Sequence, residues 1–447
     1  MPTHCYPLPA ADPPRARPRG GAVDRCHGRR SGVGGRGGGD RWGGFAGLAA
    51  AKALERAGAR VTVVDRHVYS TFQPLLYQVA TGALNPGDIA YPIRALSRKR
   101  RIHFRHGEAE RIDTANRQLL LAGGASLAYD YLVLACGAAV NYFDVEGAAE
   151  HSAALYTRGE AITLRDRLMG ELEQLASGDA SRGLVAVVVG GGPTGVEMAG
   201  ALAELRDTAL THAFPELDPK TIRVVLVERA DELLAPFHPA LRAYARSQLE
   251  RRSVELRLAA TISSVATGAV HFEDGSSLRS DLTVWAAGVT VAAQVRGFGL
   301  PLGRGGRIEV DGDLRVRGEE RIFAVGDVAL SGERLPQLAQ PAIQMGRHAG
   351  RQIAALLAGG ATEAFAYRDK GTMATIGRRA AVAELRGGIR LRGTLAWGAW
   401  LALHIVTLLG NRSRASALLN LTWRYVAWPS GSGVIVGDIA EEPPAKP

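Results

Sequence analysis

The sequence predicts an α/β protein built from two parallel, doubly wound units, followed by a smaller C-terminal region of strands and apolar helices. Three observations carry that prediction. From position 43 onward, short apolar runs of strand character alternate with helix-like segments, as in parallel sheets joined by crossover helices. The scheme starts twice, each time as glycine-rich turn, helix, apolar strand and closing carboxylate. Past position 346 the alternation gives way to strand and turn, and then to an almost unbroken apolar run.

Taken in order, residues 47–57 (GLAAAKALERA) are rich in Ala and Leu and read as a helix. Residues 60–65 (RVTVVD) read as a buried strand ending in Asp65, and 131–135 (YLVLA) as another. The restart runs through 184–189 (LVAVVV), a helix over 195–205, and 223–228 (RVVLVE) ending in Glu228. Residues 283–286 and 322–325 are two further apolar runs, and 365–386 read as strand and turn. Residues 395–409 (LAWGAWLALHIVTLL) are apolar all round apart from His404 and Thr407. Residues 415–428 are amphipathic, with Leu418, Leu421, Tyr425 and Trp428 on one helical face. The expected division is 43–147 for the first unit, 148–276 for the second, 277–364 for a return to the first, and 365–447 for the C-terminal region.

Bulk properties narrow the function. A chain of 447 residues exceeds one ordinary core. Cys5, Cys26 and Cys136 lie far apart, which argues against a disulfide framework, a cysteine metal site and a dithiol redox centre; no metal is expected. Of the net charge of +10, residues 1–41 supply +5, from eight arginines and three aspartates. No basic patch interleaved with aromatics remains elsewhere, so nucleic acid is not an expected partner. No run reaches the ~20 apolar residues of a transmembrane helix.

The strongest motif is Gly190-Gly-Gly-Pro-Thr-Gly195, directly after LVAVVV. Gly190, Gly192 and Gly195 take the three positions of GxGxxG. The first allows the tight turn, the second admits a pyrophosphate to the backbone, and the third lets helix pack on strand. Pro193 and Thr194 complete the turn into a helix whose N-terminus favours a diphosphate. Glu228, closing the next strand, suits ribose hydroxyls and favours NADH over NADPH, although Arg229 stands beside it. Its distance from the turn requires an insertion at roughly 206–221. A glycine turn without a ligand is the bland alternative.

The first unit departs from this pattern. Gly44 and Gly47 match the second and third glycines and Asp65 closes the next strand, but Trp42 holds the first glycine position. Just upstream stands Gly37-Gly-Gly-Asp-Arg-Trp42, where a buried strand is required. Read one base later, codons ending mostly in T would turn GGGDRW into Val-Val-Val-Ile-Val-Gly. The expectation is that residues 1–42 are translated out of frame, leaving the first strand and first glycine missing and retention of this unit's dinucleotide weakened. A natural disordered arm or a targeting peptide stays open, and the gene's nucleotide sequence decides. Finally, 322–327 (IFAVGD) is a strand ending in Gly326-Asp327, placed to meet a ligand at the carboxyl edge of a sheet.

Together these residues resemble the two-dinucleotide-binding-domain flavoproteins of the glutathione-reductase-like fold, and specifically the type II NADH:quinone oxidoreductases. Beyond the glycine motifs, the likeness rests on 72–82 (FQPLLYQVATG), 339–344 (AQPAIQ) and 370–378 (KGTMATIGR). The resemblance implies FAD as cofactor and NADH as donor, with a membrane quinone as acceptor. It implies that Gly44, Gly47, Asp65, Gly137, Gly326 and Asp327 bind FAD, and that Gly190, Gly192, Pro193, Thr194, Gly195, Glu228 and Gly288 bind NADH. Glu197 and Lys370 would act beside the flavin, and Gln340, Ile343 and Gln344 would line a quinone pocket. Cys136 stands where the family usually has threonine. Gln340 and Gln344 as helix decoration, Lys370 as a solvated lysine, and His404 as a core or interfacial group are the plainer readings.

Residues 395–409, with Trp397 and Trp400 and with Arg390, Arg392, Arg412 and Arg414 flanking, suit a monotopic anchor on the cytoplasmic face of the cell membrane. A buried core or dimer helix is the alternative, and a homodimer stays open. Rival functions are a ferredoxin-type NADH reductase, a sulfide:quinone or dithiol reductase, and a non-enzymatic nucleotide-binding flavoprotein. The second lacks its cysteines, and the first would not need the apolar C-terminus.

Overall fold

A computed structural model describes residues 30–34, 43–99, 101–178, 180–332 and 335–427. The expectations for residues 1–29 and 35–42, and for Trp428, lie outside them. The first unit contains β1 (Arg30–Gly34), α1 (Phe45–Arg56), β2 (Arg60–Asp65), α2 (Leu76–Ala80), β3 (Ile102–His106) and β4 (Tyr131–Leu134). The second contains α3 (Arg158–Ser177), β5 (Leu184–Val189), α4 (Pro193–Glu204), β6 (Ile222–Val227), α5 (Pro239–Arg251), β7 (Val254–Arg257) and β8 (Leu282–Trp285). The chain then returns to the first unit through β9 (Ile322–Ala324) and α6 (Ala339–Leu357). It continues into β10 (Gly371–Gly377), β11 (Ala380–Leu385), β12 (Ile389–Arg392), α7 (Gly393–Thr407) and α8 (Asn411–Ala427).

The repeat seen in the sequence is a repeat of topology. The first sheet runs β3-β2-β1-β4-β9, all parallel. The second runs β7-β6-β5-β8, also parallel, with the short strand Ala153–Ala154 at its edge. Each unit also carries a three-stranded antiparallel meander, Ala109–Ala128 in the first and Ile262–Arg279 in the second. The expected boundary at 276 is therefore corrected. Residues 277–285 complete the second unit's meander and sheet, because β8 pairs with β5 rather than with the first sheet.

A strand does stand between β2 and β4, which corrects the expectation that the first unit lacks one. It is Arg30–Gly34 (RSGVG), upstream of the 37–42 stretch. Ladder hydrogen bonds come from the backbone, so even a glycine-rich segment can occupy the slot. The insertion expected near 206–221 is present as a π-helical turn (Leu205–Leu210), a short helix (Thr211–Ala213) and a 3₁₀ turn (Pro219–Thr221).

Small residues set the close approaches that bring the parts together. A Cβ on Gly346 would lie 2.1 Å from the Ala46 carbonyl oxygen, so α6 packs backbone to backbone on α1. A Cβ on Gly200 would lie 2.2 Å from the Ile376 carbonyl oxygen, so α4 packs just as closely on β10. The C-terminal region shares a core with the second unit: Ile376, Trp400, Leu408, Ala417 and Leu421 join Leu202, Leu241 and Leu249 in one buried cluster.

Candidate functional site

Both units present a helix N-terminus to a glycine turn. α1 begins at Gly44 and α4 at Gly192, both without a side-chain cap and without an acidic residue in the first turn. Such ends favour an anion through the helix dipole and the unused N–H groups. Behind each turn the same device recurs. The Asp65 carboxylate accepts the Gly43 N–H at 2.7 Å and the His67 N–H at 2.7 Å. The Glu228 carboxylate accepts the Gly191 N–H and, at 2.8 Å, the Ala230 N–H. Each acid thus fixes the loop residue preceding the helix cap, and Asp65 is only 1% exposed.

The turn between β5 and α4 needs its glycines. Gly190 has φ +110°, and a Cβ there would lie 2.7 Å from the Ala286 carbonyl oxygen. A Cβ on Gly195 would lie 1.7 Å from the Gly190 carbonyl oxygen. By contrast, nothing lies within 4 Å of a Cβ on Gly192, so that position is open to an approaching ligand.

Between the units lies a cavity of ≈ 250 Å³. The first unit lines it with Gly44, Phe45 and Ala46 of the α1 turn, Gly137 after β4, and Gly326 and Asp327 after β9. The second unit adds Tyr156, Thr194 and Glu197, and Val289 lies beside Gly288. Six of the expected residues thus share one cavity: Gly44, Gly137, Thr194, Glu197, Gly326 and Asp327. Gly47, Asp65 and the remaining NADH residues flank it through the two glycine turns. Gly326 has φ +75°, and a Cβ there would meet Ala46 at 3.2 Å and Ala342 at 3.3 Å, so only glycine fits.

Two carboxyls at the cavity are electrostatically unusual. Burial pushes Asp327 up to about 6, against Arg307 and the Tyr156 phenol, which both favour the anion. Burial pushes Glu197 up to about 8, against the hydrogen bond from the Thr375 N–H. The Thr375 bond spans 3.2 Å. A carboxyl in this state can carry a proton at neutral pH and release it locally.

The three segments that carried the resemblance meet around this corner. The Tyr77 phenol lies 2.9 Å from the Thr375 hydroxyl, and Gln78 Nε2 donates to it at 2.8 Å. Gln344 ties α6 to the chain before β10, donating to the Arg368 carbonyl at 2.9 Å and accepting its N–H at 3.1 Å. From α6 the cavity lining takes Ala339 and Ala342. Gln340, Ile343 and Gln344 do not line it: at about 100° per residue round the helix, Gln340 and Gln344 face away from the Ala339–Ala342 side, and Lys370 is exposed.

Sequence reasoning missed Tyr156 and misplaced Trp400. The Tyr156 phenol accepts the Ala138 N–H at 3.3 Å and lines the cavity with Asp327; nothing in its local sequence marks it. Trp400 was expected at a lipid boundary, but it is 3% exposed and stacks on His404 at 4.0 Å. Helical periodicity explains the correction: Ala396, Trp400 and His404 recur every four residues and form the inward stripe of α7. The face expected on α8 also divides, with Leu421 buried and Leu418 exposed.

Comparison with known proteins agrees with this geometry. Residues 43–346 match the family described as pyridine nucleotide-disulphide oxidoreductase. Type II NADH:quinone oxidoreductase Ndh of Mycobacterium tuberculosis is 37% identical over 407 residues, covering 87% of this chain and 88% of its own. The mitochondrial internal alternative NAD(P)H-ubiquinone oxidoreductase A1 of Arabidopsis thaliana is 30% identical, covering 86% of this chain and 82% of its own. In fold, the chain resembles the structure of NDH2 from Plasmodium falciparum in complex with NADH, with a TM-score of 0.81 and 18% identity. That match covers 90% of this chain and 99% of the other. The sulfide:quinone oxidoreductase of Aquifex aeolicus shares the fold at a TM-score of 0.70 and 17% identity, over 89% of this chain and 95% of the other.

Proposed function

This chain belongs to the type II NADH:quinone oxidoreductases, and from that premise we propose that it transfers hydride from NADH to FAD and the electrons on to a quinone, without pumping protons. The observation that carries this reading is the cavity in which the α1 turn and Gly326-Asp327 of one unit face Thr194 and Glu197 of the other. When bound, FAD supplies the two-electron chemistry, and the net reaction is NADH, one proton and quinone to NAD⁺ and quinol.

The residues fit that cofactor. The α1 N-terminus with Gly44 and Gly47 would take the pyrophosphate of FAD, and Asp65 its adenosine ribose. Gly137 and Gly326 leave room for the backbone to approach, and Asp327 would accept a ribityl hydroxyl. Gly190, Gly192, Pro193, Thr194 and Gly195 would hold the diphosphate of NADH, with Glu228 on its ribose and Gly288 beside its nicotinamide end. Glu197 would move a proton at the cavity. Lys370 would offset negative charge there, and Gln340 and Ile343 would flank the quinone. Gln344 would act by holding the segment that leads to Lys370.

We further propose a peripheral, monotopic position on the cytoplasmic face of the cell membrane, where NADH is available. No helix among the described residues is long and apolar enough to cross a membrane. The outward side of α7 and α8 exposes Leu395, Leu403, Val406, Leu418, Leu419 and Trp423, a surface suited to the acyl boundary. We assign that surface to lipid rather than to a homodimer.

The test is a visible spectrum of the purified chain followed by additions. A yellow protein that bleaches with NADH and recovers with a water-soluble quinone is expected. A yellow protein that bleaches but ignores quinone, while reducing a ferredoxin, would replace the acceptor in this reading.

A further inference from the structure

The two segments by which the chain passes between the units run side by side: Ala139–Val140 pairs antiparallel with Val289–Thr290. Beyond that ribbon, residues 141–145 are fastened against the end of β8. The Asn141 N–H donates to the Gly288 carbonyl at 3.1 Å, and the Trp285 indole donates to the Asn141 carbonyl at 2.8 Å. The Val145 N–H donates to the Tyr142 carbonyl at 3.0 Å, and the Tyr142 ring packs on the Trp285 ring at 5.7 Å. Held in this way, the loop displays Phe143 with 54% of its surface exposed. A single exposed apolar side chain is ordinary; its backbone here is not. Phe143 has φ +53° and Asp144 has φ +56°, a left-handed conformation that bulky side chains rarely adopt. The Asn141 side chain holds the turn by accepting the Phe143 N–H at 2.9 Å. Strain of this kind persists only where the surroundings impose it, and it clusters at ligand clamps.

The placement of the ring says which ligand it serves. A Cβ on Gly288 would meet Phe143 Cζ at 3.3 Å and Cε2 at 3.6 Å, so the ring lies against that glycine. The next residue, Val289, lines the cavity together with Thr194 and Glu197. The preceding residues touch the glycine turn: a Cβ on Gly190 would lie 2.7 Å from both the Ala286 carbonyl oxygen and the Ala287 α-carbon. A Cβ on Gly191 would instead meet the Glu228 side chain at 2.9 Å. The turn thus has Glu228 on one side, and Gly288, Phe143 and the cavity on the other. We infer that Phe143 is a binding residue for the nicotinamide half of NADH, its exposed ring receiving the planar pyridine ring at the rim of the cavity. This deepens the reading of the Gly190–Gly195 turn as the NADH site and rests on it. Aromatic rings gain from offset or edge contact with another ring, and a phenyl face also attracts the cationic pyridinium of NAD⁺.

The experiment uses the full chain with FAD bound. Titration calorimetry measures the binding of NAD⁺ and of ADP-ribose, which lacks the nicotinamide, to the native protein and to Phe143→Ala. Phe143→Ala should weaken NAD⁺ about tenfold and leave ADP-ribose unchanged. KM for NADH should rise by a similar factor, and Phe143→Tyr, which keeps the ring, should bind NAD⁺ as the native protein does. If both ligands weaken together, Phe143 only supports the loop and the inference fails alone. It also fails if neither ligand moves, since the ring then touches no nucleotide. If the native protein binds neither NAD⁺ nor ADP-ribose, the reading of the glycine turn fails and takes the inference with it. Should Phe143→Ala not fold, Phe143→Gly accepts the φ of +53° freely, and the same selective loss of NAD⁺ is required of it.

Discussion

Asp327 shows how one side chain serves two purposes. It stands at the carboxyl end of β9, where the Gly326 turn opens the sheet toward the cavity, and it meets Arg307 and the Tyr156 phenol there. Burial holds its carboxyl at about 6, so at pH 7.5 it is largely ionised and ready to accept a hydroxyl proton. A hydrogen bond to a charged group is worth about 1.5–3 kcal/mol. Asp327→Ala should therefore weaken FAD binding by about 10- to 100-fold, seen as loss of the visible absorbance on dilution; full retention of flavin would remove Asp327 from the site. Gly190, Gly195 and Gly326 were legible in the sequence because each is required by a backbone conformation or contact that local spacing reveals. Tyr156 and Trp400 were not, since Ala138 and Tyr77 reach them only through tertiary packing. Trp400 looked like a membrane residue because amphipathic faces cannot be assigned when both are apolar.

Among the elements, β1 departs furthest from what its place demands. A central strand of a parallel sheet is covered on both faces and normally reads as a continuous aliphatic run, as β5 does with LVAVVV. β1 reads RSGVG. Its register places Gly32 in one cross-strand row with His103, Thr62 and Leu132. Three members of that row, Thr62, His103 and Leu132, line a cavity of ≈ 320 Å³ together with Leu119, Leu127 and Tyr129. Glycine brings no side chain to that row. Gly32→Val should fill part of the cavity and stabilise the fold by about 2 kcal/mol, raising Tm by a few degrees. An unchanged or lowered Tm would show that the void is not set by this strand. The same defect supports the proposal that residues 1–42 are out of frame. A chain carrying Val-Val-Val-Ile-Val-Gly before Gly43 should then be more stable than Gly32→Val. α1, α4, β2, β4, β5, β6, β8 and β9 were readable because each carries its own periodicity or apolar run, whereas α3, α5, β3 and β7 were not singled out. The boundary at 276 was misplaced because β8 returns to the second sheet through a meander, a pairing that no local pattern encodes.

At the scale of the whole molecule, the C-terminal region adds to the two-unit fold the apolar outer surface on which the proposed membrane seat depends. α7 and α8 are wedged into the core through Ala396, Trp400, Leu408, Ala417 and Leu421. α8 is fastened further by Ser416 and Asn420, which donate to Asp88 at 2.6 and 2.7 Å. Deleting the region at Arg392 would strip a buried face from the core, so loss of membrane binding in such a truncation would be ambiguous. The outward residues permit a cleaner test. Leu403 is 44% exposed and Val406 is 65% exposed, and neither packs against the cavity. Replacing both by Glu leaves the core intact while placing two charges where acyl chains would lie. Burying two such side chains is worth about 3 kcal/mol or more, so partition onto anionic phospholipid vesicles should fall at least about 100-fold. Turnover with a water-soluble quinone should be unaffected, since that acceptor needs no membrane. Turnover with a long-chain quinone dissolved in the vesicles should fall with the binding. If the double variant still sediments with vesicles, the exposed face of α7 does not seat the protein on lipid, and its apolar residues must be covered by a second copy of the chain, detectable as a dimer in solution.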